Sequence, residues 1–154
     1  MSQSYSQIYI HYVFITKFRQ RFLRESIQPE LSDYIGGYTK NLNCFMQCIG
    51  GMEDHLHLLI GLKPSITVSE FAQKVKANSS RFIHEKGWTY GKFEWQPGFG
   101  AFSLSQSNLE NARKYIKNQK ENHQHKTLLD EYEDLLRNYK IGYDKRYLFD
   151  SDSE

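Results

Sequence analysis

The chain is short of cysteine, of long apolar runs and of net charge. Two cysteines, Cys44 and Cys48, stand among 154 residues. They are too few and too close for a disulfide framework, which points to a reducing compartment. The longest apolar stretches, such as residues 56–62, fall far below the ~20 residues that span a bilayer, so no membrane partner is expected. The opening residues MSQSYSQIYI lack the basic start and apolar run of a secretory signal. A cytoplasmic location is the expectation. No internal repeat or low-complexity linker interrupts the sequence. What remains is an ordinary globular composition, 39% apolar and 25% charged, which excludes disordered and membrane classes. The length suits one domain that buries its core without covalent staples.

The formal net charge is only +2, yet its distribution is uneven. Residues 1–24 carry Lys17, Arg19, Arg21 and Arg24 and no acid. Residues 71–92 carry Lys74, Lys76, Arg81, Lys86 and Lys92 against Glu85, and residues 111–126 carry Arg113, Lys114, Lys117, Lys120 and Lys126 against Glu121. The first 127 residues sum to +6 and the remainder to −4, a polyanion-binding body followed by an acidic end. A solvated surface would give the same arithmetic. Aromatic residues reach 15%, and rings interleaved with bases suit stacking on unpaired nucleobases, although a tyrosine-rich core would give that count too.

The hydropathy pattern predicts a strand over 5–16, a helix over 25–41, strands over 44–49 and 55–62 around the turn GGMED, and a helix over 67–86 capped by Thr67 with Glu70 in capping-box register. A loop rich in Trp, Gly and Pro leads to a short strand, AFSLS. Ser107 then caps a polar helix to about Asn122, and Thr127 opens an amphipathic helix ending near Gly142. The order β-α-β-β-α-β followed by two helices predicts an α+β, ferredoxin-like (RRM-like) antiparallel sheet. Residues 1–126 form the core unit, and 127–154 add a C-terminal amphipathic helix and acidic tail to the same domain. Cys44 and Cys48 read as small core residues on one strand face.

The stretch Asp54-His55-Leu56-His57-Leu58-Leu59-Ile60 carries the chemistry. Strand alternation puts Leu56, Leu58 and Ile60 on one face and both histidines on the other, where two imidazoles can serve one metal. A structural histidine pair would satisfy the same pattern, since about 0.2 such pairs arise by chance in this composition. A second pair, His123-x-His125, lies in a polar helix end and reads as solvated surface. In the helix over 107–122, Leu109, Ala112 and Ile116 form an apolar stripe, with Tyr115 and Gln119 four residues apart on its flank. Arg113, Lys114, Lys117 and Lys120 surround Tyr115 with positive charge, which favours phenolate and phosphate.

These segments resemble a known family. DHLHLLI is similar to the histidine–hydrophobic–histidine (HUH) motif of the single-tyrosine HUH transposases, enzymes of certain insertion sequences and of repetitive extragenic palindromes. Tyr115-Ile116-Lys117-Asn118-Gln119 resembles their tyrosine-helix motif, and WQPGFGAFS, residues 95–103, their W-Q-x-G-[YF]-x-x-F-S stretch. The likeness runs from about residue 5 to 123, and the segment from Thr127 matches only loosely.

The resemblance implies that His55, His57 and Gln119 bind Mg²⁺ or Mn²⁺. It implies that Tyr115 attacks a DNA phosphodiester, leaving a 5′-phosphotyrosine and a free 3′-hydroxyl. Substrates would be single strands bearing hairpins. Lys17, Arg19, Arg21, Lys74, Lys76, Arg81, Arg113 and Lys117 are the candidates for DNA contacts. The working form would be a homodimer with shared active sites, DNA-associated in a bacterial or archaeal cytoplasm. Competing readings are a non-catalytic RRM-like single-strand-binding module, a replication-initiation or relaxase-type HUH nuclease, and a domesticated HUH nuclease.

Overall fold

Alternation along four strands organises the molecule. The computed structural model describes residues 3–149. Strands β1 (Tyr9–Ile15), β2 (Phe45–Met52), β3 (His55–Gly61) and β4 (Gly100–Leu104) form one antiparallel sheet in the order β2-β3-β1-β4. Helix α1 (Gln28–Asn41) joins β1 to β2, and α2 (Val68–Lys86) joins β3 to β4. Three helices follow: α3 (Leu109–Lys117), α4 (Gln119–Asn122) and α5 (Leu128–Asn138). This is the ferredoxin-like α+β arrangement that the element order predicts. The acidic end from Asp150 to Glu154 lies outside the described residues.

Ile10, Tyr12 and Phe14 of β1 and Leu56, Leu58 and Ile60 of β3 face α1 and α2, with Leu31, Ile35, Phe71 and Val75 packed on them. The opposite face carries two smaller clusters. Val13, Ile15 and Phe102 meet Leu128, Tyr132 and Leu136 of α5, while Cys48 and Leu59 meet Ile116 of α3. The C-terminal helices therefore bury the second sheet face, the one that carries the alternate residues His11, His55 and His57. The helix starts follow the sequence: Thr67 Oγ1 accepts from the Glu70 amide at 3.0 Å and Thr127 Oγ1 from Asp130 at 3.1 Å, each satisfying an orphan donor.

Four local features differ from the sequence reading. Gly50 and Gly51 lie inside β2 rather than in a turn, paired with His57 and Leu56, and the reversal narrows to Glu53-Asp54. A register shift between Met46 and Cys48 inserts one residue, so the side-chain alternation slips. Cys44 consequently packs beneath the helices and Cys48 on the other face, rather than both on one. The helix expected over 107–122 begins as a single 3-10 turn and breaks at Asn118 (φ −98°, ψ 29°), so Tyr115 and Gln119 sit on separate helices. The last helix stops at Asn138, short of Gly142.

The loop before β4 has a structural job. Trp95 Nε1 donates to Ser79 Oγ at 3.0 Å, Lys76 Nζ donates to the carbonyls of Gln96 and Gly98 at 2.7 Å each, and Gln96 Nε2 reaches the Leu148 carbonyl at 2.9 Å. These bonds tie β4 to α2 and to the C-terminal segment.

Candidate active site

His55 and His57 are fully buried on the face opposite the leucines. Each is held at Nδ1 by a protein partner: His55 donates to Asp54 Oδ1 at 2.8 Å, and His57 lies 2.7 Å from His11 Nε2. Such partners fix ring orientation and leave Nε2 to face the site. Both Nε2 atoms converge on Glu131 Oε1, at 3.3 Å from His55 and 3.1 Å from His57. Gln119 Oε1 lies 2.9 Å from His55 Nε2, and Gln119 Nε2 donates to Glu131 Oε2 at 3.0 Å. The Tyr115 hydroxyl donates to the same Glu131 Oε2. One carboxylate thus turns one oxygen to the histidines and the other to the phenol.

Local sequence explains how these groups meet. Gly50 stands opposite His57 on β2, and a Cβ there would lie 2.3 Å from the Ile116 carbonyl oxygen. The missing side chain lets the backbone of α3 settle on the sheet. Ile116, buried against Cys48 and Leu59, then fixes the helix so that the adjacent Tyr115 faces α5. Glu131 lies three residues after Leu128 and four before Leu135, on the flank of the stripe that α5 turns to the core.

Glu131, His11 and His123 join the site although the sequence reading does not place them there. For Glu131 a signal existed, an acid embedded in the apolar stripe of an amphipathic helix. His11 shares its strand face with Val13 and Ile15, which gives no such contrast. His123 corrects the reading of the second histidine pair as solvated surface. Its Nε2 lies 3.1 Å from Gln119 Oε1 and 3.2 Å from Glu131 Oε1, because the short turn of α4 folds it back over the site. His125 is exposed, as expected.

The electrostatics are coupled. Burial disfavours the charge of His55, but hydrogen bonds to Asp54 and Glu131 outweigh it and raise its pKa to about 9. His57 is lowered, chiefly by its complete burial, and His11 is lowered to about 3 by burial and by His57. Burial disfavours the Glu131 carboxylate as well, yet hydrogen bonds from His123, His55 and His57 hold it far below the ordinary range. Tyr115 reverses the sequence expectation: burial and then the Glu131 charge push its phenol well above its usual value. The neighbouring bases do not offset this: Lys120 is paired with Glu25, and the Arg113 guanidinium is directed to Gln47 on β2 rather than to the phenol.

The candidate DNA contacts fall into separate regions. Arg21 lines a cleft with Asp54, His123 and His125 and pairs with Glu53 at 2.8 Å. Lys117 and Gln119 border a second cleft. Lys17 pairs with Glu94 at 3.7 Å, and Arg19 lies over the Phe149 ring at 4.6 Å. Lys74, Lys76 and Arg81 ride on α2, on the far face of the sheet from the histidines.

Among the described residues, His55, His57 and Glu131 form a group whose ligand atoms lie within 4.8 Å of one another. Two imidazole nitrogens and a carboxylate, with the Gln119 amide oxygen beside them, make a mixed N/O donor set that fits a divalent ion. The residues present could therefore hold such a metal.

A family profile described as Transposase IS200 like matches residues 4–119, three quarters of the chain. The chain belongs to that family. This transposase is similar to the ISDra2 transposase TnpA of Deinococcus radiodurans, at 24% identity over 120 residues, covering 73% of this chain and 84% of that one. Its fold is similar to the crystal structure of a transposase from Deinococcus radiodurans (TM-score 0.60, 22% identity, 77% of this chain and 98% of that one). It is also similar in fold to a REP-associated tyrosine transposase bound to a REP hairpin, with TM-score 0.60 and 16% identity over 99% of this chain and 93% of that one. Membership implies DNA cleavage and transfer. No helix among the described residues is long and apolar enough to cross a membrane.

Proposed function

We infer that this transposase cuts and rejoins single-stranded DNA at hairpin-bearing ends, with Tyr115 as nucleophile. The observation that carries the reading is the convergence of Tyr115, His55, His57 and Gln119 on Glu131. His55, His57 and Glu131, with Gln119 beside them, would hold Mg²⁺ or Mn²⁺. When bound, that ion supplies Lewis-acid polarisation of the scissile phosphate. The protein's own groups do the rest. Glu131 holds the phenol in place and protonated at rest. Asp54 and His11 orient the two imidazoles. In cleavage the phenolic oxygen bonds to phosphorus as its proton passes to water in the open cleft. The P–O3′ bond breaks with its electrons going to the 3′-oxygen, which takes a proton from water to become a 3′-hydroxyl. The 5′-phosphotyrosine keeps the phosphodiester energy for rejoining by the reverse displacement.

The likeness to a hairpin-bound transposase supports a folded single strand as substrate, and Arg21 and Lys117 border clefts that His123 and Gln119 share, where its backbone would pass. A non-catalytic RRM-like module would leave this buried set without a role. The place of Glu131 in the site supports reading the segment from Thr127 onward as part of the same domain as residues 1–126. The homodimer with shared sites implied by the family resemblance would require α3 to leave its own Glu131 and dock on a second copy. The bond from Tyr115 to Glu131 within one chain favours a site complete in each chain.

The test is Tyr115→Phe with a labelled hairpin-bearing strand. The variant should bind the strand normally and form no covalent adduct. An adduct of undiminished yield would move the nucleophile elsewhere.

A further inference from the structure

We propose that the cleft between α3 and the end of α5 is a seat for one unpaired nucleobase beside the scissile phosphate. The cleft measures about 640 Å³, within the ~300–1,000 Å³ typical of small-molecule sites. Tyr115 opens into it, so a strand attacked there brings a neighbouring nucleotide to its mouth. Leu104, Ala112 and Leu135 give it apolar walls.

Tyr139 supplies a stacking platform. Its ring lies against Phe102 with centroids 4.8 Å apart and planes 25° from parallel, and the residue is 40% exposed. The buried Phe102 fixes the ring from behind and leaves surface for a second aromatic face. Base stacking on such a ring is tolerant of base identity.

Asn108, Asn111 and Asn138 also line the cleft, each exposed. Each amide offers a donor and an acceptor, the complement of a base edge. Charge argues against a phosphate here. Lys126, the lining cation, is paired with Asp134, and the remaining ionised wall is the Glu131 carboxylate. An uncharged, flat, hydrogen-bonding group fits these walls, and a nucleobase has all three properties.

The inference rests on the strand-cleavage reading above, and one experiment separates the two. The wild-type chain, labelled with ¹⁵N and kept in chelator, is titrated with the four deoxynucleoside 5′-monophosphates and with 2-deoxyribose 5-phosphate. Side-chain amide signals of Asn108, Asn111 and Asn138 should move saturably with at least one nucleotide and stay still with the sugar phosphate. Tyr139→Leu should weaken that nucleotide about tenfold. If that variant does not fold, Asn111→Ala and Asn138→Ala carry the test, each lowering affinity severalfold. Amides that ignore every nucleotide, or that move equally with the sugar phosphate, overturn the proposal. Unmoved amides in a protein that still forms the Tyr115 adduct remove the base seat and leave the strand chemistry standing. Nucleotide-specific shifts without any adduct do the reverse.

Discussion

His11 Nε2 lies 2.7 Å from His57 Nδ1, with both rings buried. An imidazole nitrogen can donate or accept according to tautomer, so His11 offers His57 a partner in either state. When His57 donates from Nε2 to Glu131, its Nδ1 can accept from His11. When Nε2 serves a metal, Nδ1 can donate instead. His11→Phe removes this partner at similar volume and leaves Nδ1 orphaned. Mn²⁺ affinity, read by calorimetry, should fall about 10- to 100-fold, with stability lower by about 1–3 kcal/mol. Unchanged affinity would show that His57 needs no such support.

His123→Ala should reduce Mn²⁺ affinity and strand cleavage, because its Nε2 is shared between Gln119 and Glu131. His125→Ala should match the wild type, its side chain being exposed. Measured side by side, equal losses in both variants would place the effect in the 123–126 segment rather than in the one imidazole.

Gly50→Ala places a methyl 2.3 Å from the Ile116 carbonyl oxygen. The helix carrying Tyr115 must lift. Overpacking of this kind costs about 1–3 kcal/mol, visible in urea unfolding, and adduct formation should drop far more than stability does. A variant with normal adduct yield would mean that α3 has slack on the sheet.

In chelator, stability should peak near pH 6.5. His55 sits at about 9 in the fold against ~6.5 unfolded. Its contribution is full below the unfolded value and is lost as pH rises through about 9. His11, held near 3, and His57, also lowered, act in the other sense. Below about 6.5 the unfolded chain takes protons that the folded chain refuses, so stability falls on that side too. His55→Gln should flatten the alkaline limb of Tm against pH. A wild-type Tm that does not change between pH 6.5 and 9 would contradict the raised value.

Mixing a His55→Ala chain with a Tyr115→Phe chain tests where the site is assembled. With Tyr115 bonded to Glu131 of its own chain, each mixed molecule carries only damaged sites, and no adduct should form. Recovered cleavage would establish the homodimer with shared active sites.

The sheet, its helices and the facing of His55 and His57 are legible in the residues alone, because alternation along a strand is a local property that needs no knowledge of neighbours. So are the caps at Thr67 and Thr127, where a side chain answers an amide three residues away. Helical spacing pairs Tyr115 with Gln119, although the break at Asn118 means that the pair owes its closeness to packing. Packing of distant elements is what brings Glu131, 74 residues beyond His57, to close the site, sets His11 behind it from the next strand, and adds His123 to it. These groups are joined by contacts across the second sheet face. No periodicity encodes such contacts: they depend on α3 lying close enough over Gly50 and on α5 turning one acid of its apolar stripe inward.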